Sequence, residues 1–180
     1  FDLSTLTWHD RVQANTPIVS GHTAVLVQPN TPSVSERTSV LDRSKLIIFG
    51  GIGSDGNTRQ KVQFCQRSPF NASWVWSMPD QSWTTAPAAR TGHTAVWDKN
   101  LRAMIVVGGD GGDGNKFQDL WAYDPESNQW TSISREGDLL PARSEHVCVF
   151  LSTEYYVLVY GGVDATGNVL DDLWVTGLTW

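Results

Sequence analysis

Three apolar runs in this 180-residue chain end in a pair of glycines, and their spacing constrains the fold more than any other feature. They are Leu46-Ile47-Ile48-Phe49-Gly50-Gly51, Met104-Ile105-Val106-Val107-Gly108-Gly109 and Val157-Leu158-Val159-Tyr160-Gly161-Gly162, with first glycines 58 and then 53 residues apart. A Gly-Asn pair follows at the same offset in each: Gly56-Asn57, Gly114-Asn115 and Gly167-Asn168. A long fixed period marks a stack of supersecondary units, because one unit alone cannot bury its apolar face.

Upstream of each run a second apolar strand opens on histidine: His22-Thr23-Ala24-Val25, His93-Thr94-Ala95-Val96 and His146-Val147-Cys148-Val149. His93 and His146 each lie 15 residues before the first glycine; His22 lies 28 before it. The excess falls in residues 28–44, rich in Pro, Ser and Thr, which read as a surface loop. Downstream, the second copy has Asp119-Leu120-Trp121-Ala122-Tyr123-Asp124, then Trp130; the third has Asp171-Asp172-Leu173-Trp174. Phe1-Asp2 and Trp8 repeat the spacing of Tyr123-Asp124 and Trp130. Each unit therefore holds four short strands, a to d, with turn residues between them and no helical period: an all-β fold.

The Gly pair, Tyr123 and Trp130, led by Arg90 and His93, resemble the kelch repeat, whose period is about 50 residues. The resemblance covers nearly the whole chain and implies β-propeller blades of four antiparallel strands. The boundaries read as the end of a preceding blade at 1–12, a blade with a long a–b loop at 18–85, a second at 88–134 and a third, read as truncated, at 141–180. About three blades do not close a propeller, so the expectation is a partial propeller that needs further blades or other copies of the chain on its open ends. Departures are Val19 where Arg90 and Arg143 stand, and Thr176 where Tyr123 stands. The first copy allows two alignments. Either strand c is 61–66 with Trp74 opening strand d, or Trp74-Val75-Trp76 aligns with Trp121-Ala122-Tyr123 and Trp83 with Trp130; the first needs smaller length changes.

The formal charge is −6 with Lys and Arg scattered singly, which argues against nucleic acid and anionic membrane as partners. No apolar stretch approaches the roughly 20 residues of a spanning helix. Two cysteines, Cys65 and Cys148, suit neither a disulfide framework nor a clustered zinc site.

The three histidines are metal-ligand types at equivalent positions. Side chains on strand a of a radial sheet point between blades, however, so hydrogen bonding to a neighbouring blade is expected. Asp110 to Asn115 looks like a calcium loop but lacks the alternating carboxylates and closing Glu of an EF-hand. The first and third copies place Ser54-Asp55-Gly56-Asn57 and Asp164 to Asn168 there, which reads as a repeated turn. Some kelch-like propellers are enzymes. The copper site of galactose-oxidase-like members and the iron motif of plant specifier proteins have no recognisable counterpart here: none of Glu36, Glu126, Glu136, Glu145 or Glu154 is followed by Asp at an interval of four. No cofactor is expected.

The expectation is a non-catalytic interaction scaffold with a protein partner. The alternative is a structural extracellular or filament-forming glycoprotein segment, which Asn71-Ala72-Ser73, an N-glycosylation sequon, would favour. A glycan on Asn71 would place the chain outside the cell or in a lumen; without one, the reading is cytoplasmic. The candidate binding face holds Asp55, Asp110, Asp113 and Asp164 on b–c turns, with Arg90 and Arg143 leading out of d–a turns. The opposite face carries 28–44 and Asn71.

Overall fold

The computed structural model describes residues 19–27, 45–67, 74–135, 138–151 and 153–179, and every regular element among them is a β-strand. A two-residue strand β1 (Val19–Ser20) pairs with β4 (Ile52–Gly53). The first four-stranded sheet holds β2 (Thr23–Val27), β3 (Lys45–Phe49), β5 (Val62–Arg67) and β6 (Trp74–Ser77), in that order. Strands c and d of the first blade are thus β5 and β6, as the more compact alignment has them. The second sheet runs β7 (Thr94–Asp98), β8 (Ala103–Asp110), β9 (Lys116–Asp124) and β10 (Gln129–Ser132). All these pairings are antiparallel.

The third sheet departs from the simple repeat. Its inner strands are β12 (Val147–Leu151), β13 (Tyr156–Val163) and β14 (Val169–Thr179). Its outer position is taken by β11 (Ser134–Arg135), which precedes them in the chain and pairs with Thr179 and Leu178. The physical reason is local: Ile133 and Leu140, on either side of β11, are buried with Leu178 in one apolar cluster. Residues 1–12, the loop 28–44 and Asn71 lie outside the described residues.

Alternation along each strand sends one set of side chains to each neighbouring sheet. Between the first and second sheets lie Val25, Ile47, Phe49, Val62 and Phe64 against Met104, Val106, Tyr123 and Trp130. Trp130 sits 4.8 Å from the Phe49 ring centroid and 4.9 Å from that of Tyr123. Between the second and third lie Ile105, Val107, Leu120 and Ala122 against Val157 and Val159, edged by Cys148, Phe150 and Trp174. At these contacts aromatic and aliphatic burial supplies the main cohesion.

Gly50 and Gly108 sit where the chain entering the next sheet passes close by. Gly108 has φ +57°, and a Cβ there would stand 2.8 Å from the Arg143 carbonyl oxygen; at Gly161 (φ +65°) the nearest such atom is the Leu170 carbonyl oxygen at 3.2 Å. Gly161→Ala is expected to cost about 1–2 kcal/mol, the strain of a side chain at positive φ. Gly108→Ala meets backbone of the adjacent sheet as well, so its urea midpoint should fall clearly further. Equal shifts would mean that sheet-to-sheet approach does not limit this position.

Candidate functional site

Two side-chain constellations repeat with the sheets. In the first, Arg90 Nη1 donates to the Gly108 carbonyl (2.8 Å) and to Asp119 Oδ1 (2.6 Å), Nη2 donates to Asp119 Oδ2 (2.9 Å), and Nε to the Ala88 carbonyl. Arg143 repeats this with Gly161 (2.9 Å), Asp172 (2.6 and 2.8 Å) and the Pro141 carbonyl. An indole closes each node: Trp121 Nε1 donates to Asp119 Oδ2 and Trp174 Nε1 to Asp172 Oδ2. Burial would raise the Asp119 carboxyl, but the Arg90 hydrogen bonds and charge outweigh it and hold it below its ordinary value. The Arg143 hydrogen bonds hold Asp172 well below the usual carboxylate range.

This removes two residues from the candidate binding set. Arg90 and Arg143 are each 0% exposed, and their guanidiniums are spent on their own sheets. Asp119 and Asp172 are the partners that sequence reasoning missed, although each lies 29 residues after its arginine. The first copy has Val19 at the arginine position and Lys61 eleven residues after Gly50, where Asp119 and Asp172 follow Gly108 and Gly161. Cation and anion are replaced together.

In the second constellation a histidine spans two sheets, as expected for strand a. His93 Nε2 and Thr23 Oγ1 share a hydrogen bond of 2.6 Å; His146 Nε2 and Thr94 Oγ1 share one of 2.8 Å. Beside each, a backbone bond joins the sheets, Gly51 N–H to the Arg90 carbonyl and Gly109 N–H to the Arg143 carbonyl, both 2.9 Å. Burial, with the Arg90 charge next, pushes His93 down to about 3; burial, with Arg143, pushes His146 down to about 4. Both rings are neutral at neutral pH, and Nδ1 of each is buried without a hydrogen-bond partner. Among the described residues, no group of three or more His, Cys, Asp or Glu could hold a metal ion.

The b–c turns form one rim with the chain entering each strand a. Asp55 Oδ1 accepts the Asn57 amide (3.1 Å), Asp113 Oδ1 the Asn115 amide (3.0 Å), and Asp164 Oδ1 the amides of Thr166 (2.8 Å) and Asn168 (2.9 Å). Each aspartate thus fixes its own turn, the geometry that favours Asx-Gly-Asn sequences. Thr58 Oγ1 donates to the Gly111 carbonyl, tying adjacent turns together. Asp55 pairs with Arg59, and Asp110 with Lys116. Burial would raise Asp110, yet Lys116 and the Gly112 amide win and lower it. Hydrogen bonds from Thr166, then from Asn168, lower Asp164 to about 2. Asp55 and Asp113 are exposed, Asp164 and Asp110 half-buried. With both arginines withdrawn, the rim keeps four aspartates and two cations, Arg59 and Lys116, and is net acidic.

Over 122 residues the chain is 29% identical to a tRNA wybutosine-synthesizing protein 2/3/4 of Arabidopsis thaliana, covering 68% of this chain and 12% of that protein. It is 36% identical over 87 residues to Rho GTPase-activating protein gacHH of Dictyostelium discoideum (46% and 6%), and 33% over 90 residues to Kelch domain-containing protein 2 of Rattus norvegicus (46% and 21%). The chain therefore spans a small part of the curated relatives it matches. A solved structure of YjhT superposes with a TM-score of 0.65 at 18% identity, covering 100% of this chain and 51% of that one, which establishes the shared fold. The model of the KLHDC2/KLHL20/DRC7 Kelch-repeats domain matches residues 1–179, and with the repeated Gly pairs and four-stranded sheets this chain belongs to the kelch-repeat β-propeller family.

Proposed function

We propose that the chain is a non-catalytic interaction scaffold whose acidic b–c rim binds a protein segment carrying basic side chains. The observation that supports this most is the division of labour among the repeated residues. Arginines, histidines and tryptophans are consumed in holding sheets, while Asp55, Asp113 and Asp164 stand on turns that internal hydrogen bonds keep rigid. Loops on a rigid frame are where binding residues sit. The relatives support the same reading: two of the three names carry unrelated activities, yet the matched stretch is at most 21% of any of the three. A module shared across such proteins suits binding better than a common reaction.

The test is binding to an array of Lys/Arg-containing peptides. Joint Asp113→Lys and Asp164→Lys substitution is expected to weaken the best binders about tenfold or more at low salt, with the difference shrinking as salt screens the charges. A deletion inside 28–44 should leave them unchanged. Loss of binding on that deletion, with the aspartate variants unaffected, would put the binding face on the other side.

A further inference from the structure

The outward face of the third sheet is built like a buried one. In-register neighbours Val147, Tyr160 and Leu173 form one row, and Val149, Leu158 and Val175 the next. In the second sheet the same rows are Thr94, Val107, Leu120 and Val96, Ile105, Ala122, the surface buried against the third sheet. Val107 and Leu120 are 0% and 1% exposed; Tyr160 and Leu173 are 55% and 61% exposed. Polar groups match as well. Gly162 N–H occupies the position from which Gly51 and Gly109 donate to the incoming chain. One position differs: where Thr23 and Thr94 meet a histidine, this face has Val147.

We propose that this face receives a further blade-type antiparallel sheet, and that the sheet bears an aliphatic residue where His93 and His146 stand. A histidine arriving over Val147 would find no hydroxyl for Nε2, and with Nδ1 already partnerless in the existing interfaces both ring nitrogens would be buried unpaired. Leaving a buried polar group unmade is the costly outcome. The same rule disfavours head-to-tail stacking of a second copy, because that brings His22 onto Val147.

A second copy of residues 128–180 placed directly after Trp180 continues the 53-residue repeat in register. Four such extended chains would be compared: the appended equivalent of His146 kept or changed to Leu, each with Val147 or Val147→Thr. The readout is exchange protection of the Gly162 amide. With Val147 the Leu version should protect Gly162 about tenfold more than the His version, and Val147→Thr should reverse the order. Equal or better docking of the His version on Val147, an order insensitive to Val147→Thr, or no protection in any of the four would overturn the proposal. So would a dimer of the 180-residue chain that Leu173→Asp dissolves, which would make a second copy the occupant.

Discussion

Arg143→Ala is expected to destabilise the chain by about 2–3 kcal/mol, less than the loss of one partner from a fully buried ion pair because the Asp172 side chain is 38% exposed. The loss has several parts. Asp172 keeps its charge beside a buried cavity, the Gly161 and Pro141 carbonyls lose their donors, and the Trp174 indole keeps only an anion with nothing behind it. Arg90→Ala should behave alike through Asp119, Gly108 and Ala88. Replacing both partners, Arg143→Met with Asp172→Leu, should recover much of the loss, since exchanging a whole buried pair for apolar groups is often near neutral. The first blade also lacks this ion pair, with Val19 and Lys61 at the equivalent positions. Urea unfolding of the natural chain, the two single arginine variants and the double replacement measures these losses. A loss below about 1 kcal/mol for both single arginine variants, the range of exposed pairs, would show that these nodes are not structural.

Acid is expected to unfold the chain well before its carboxylates are exhausted. His93 and His146 have folded values of about 3 and about 4, below the 6.5 of an imidazole in the unfolded chain. As pH falls through 6.5 the unfolded chain takes up protons that the folded one refuses. The stability these rings contribute is complete above 6.5 and declines until pH reaches the folded values. Each pH unit in that window removes about 1.4 kcal/mol per histidine, several kcal/mol for the pair. Asp119 and Asp172, held low by their arginines, add losses in the same direction at still lower pH. The check is the melting temperature from pH 7 to 4, for the natural chain and for His93→Gln with His146→Gln. The double variant should be less stable at pH 7 yet flatter across the window. Parallel curves would place the acid sensitivity elsewhere.

The sheets were legible because their markers are local. A run of β-formers ending in Gly-Gly, and a Gly-Asn turn six residues on, state strand and turn within a few positions, and repetition of the pattern gave the register. Inter-sheet hydrogen bonding by histidine was legible too, since a residue on a radial strand faces a neighbour. Three features were not. The arginines looked like rim cations because they precede strand a, and only the fold brings in an aspartate 29 residues away to bury them. The net acidic balance of the rim, four aspartates to two cations, follows from that burial. The origin of the third sheet's outer strand escaped as well: Ser134 and Arg135 carry no strand pattern, and their placement follows from Ile133, Leu140 and Leu178 sharing one cluster.

That borrowed outer strand has a mechanical consequence. A row of sheets that touch only through their faces can open one seam at a time, like pages. Here a ladder from Ser134–Arg135 to Thr179 and Leu178 stitches the outer margin of the third sheet to the segment leaving the second. The His146–Thr94 bond fastens the inner margin of the same seam. A pull on residue 179 is therefore carried into the second sheet at both margins at once. These two sheets should yield to force as one unit, whereas the seam between the first and second, where no such strand crosses among the described residues, should be where the row gives way.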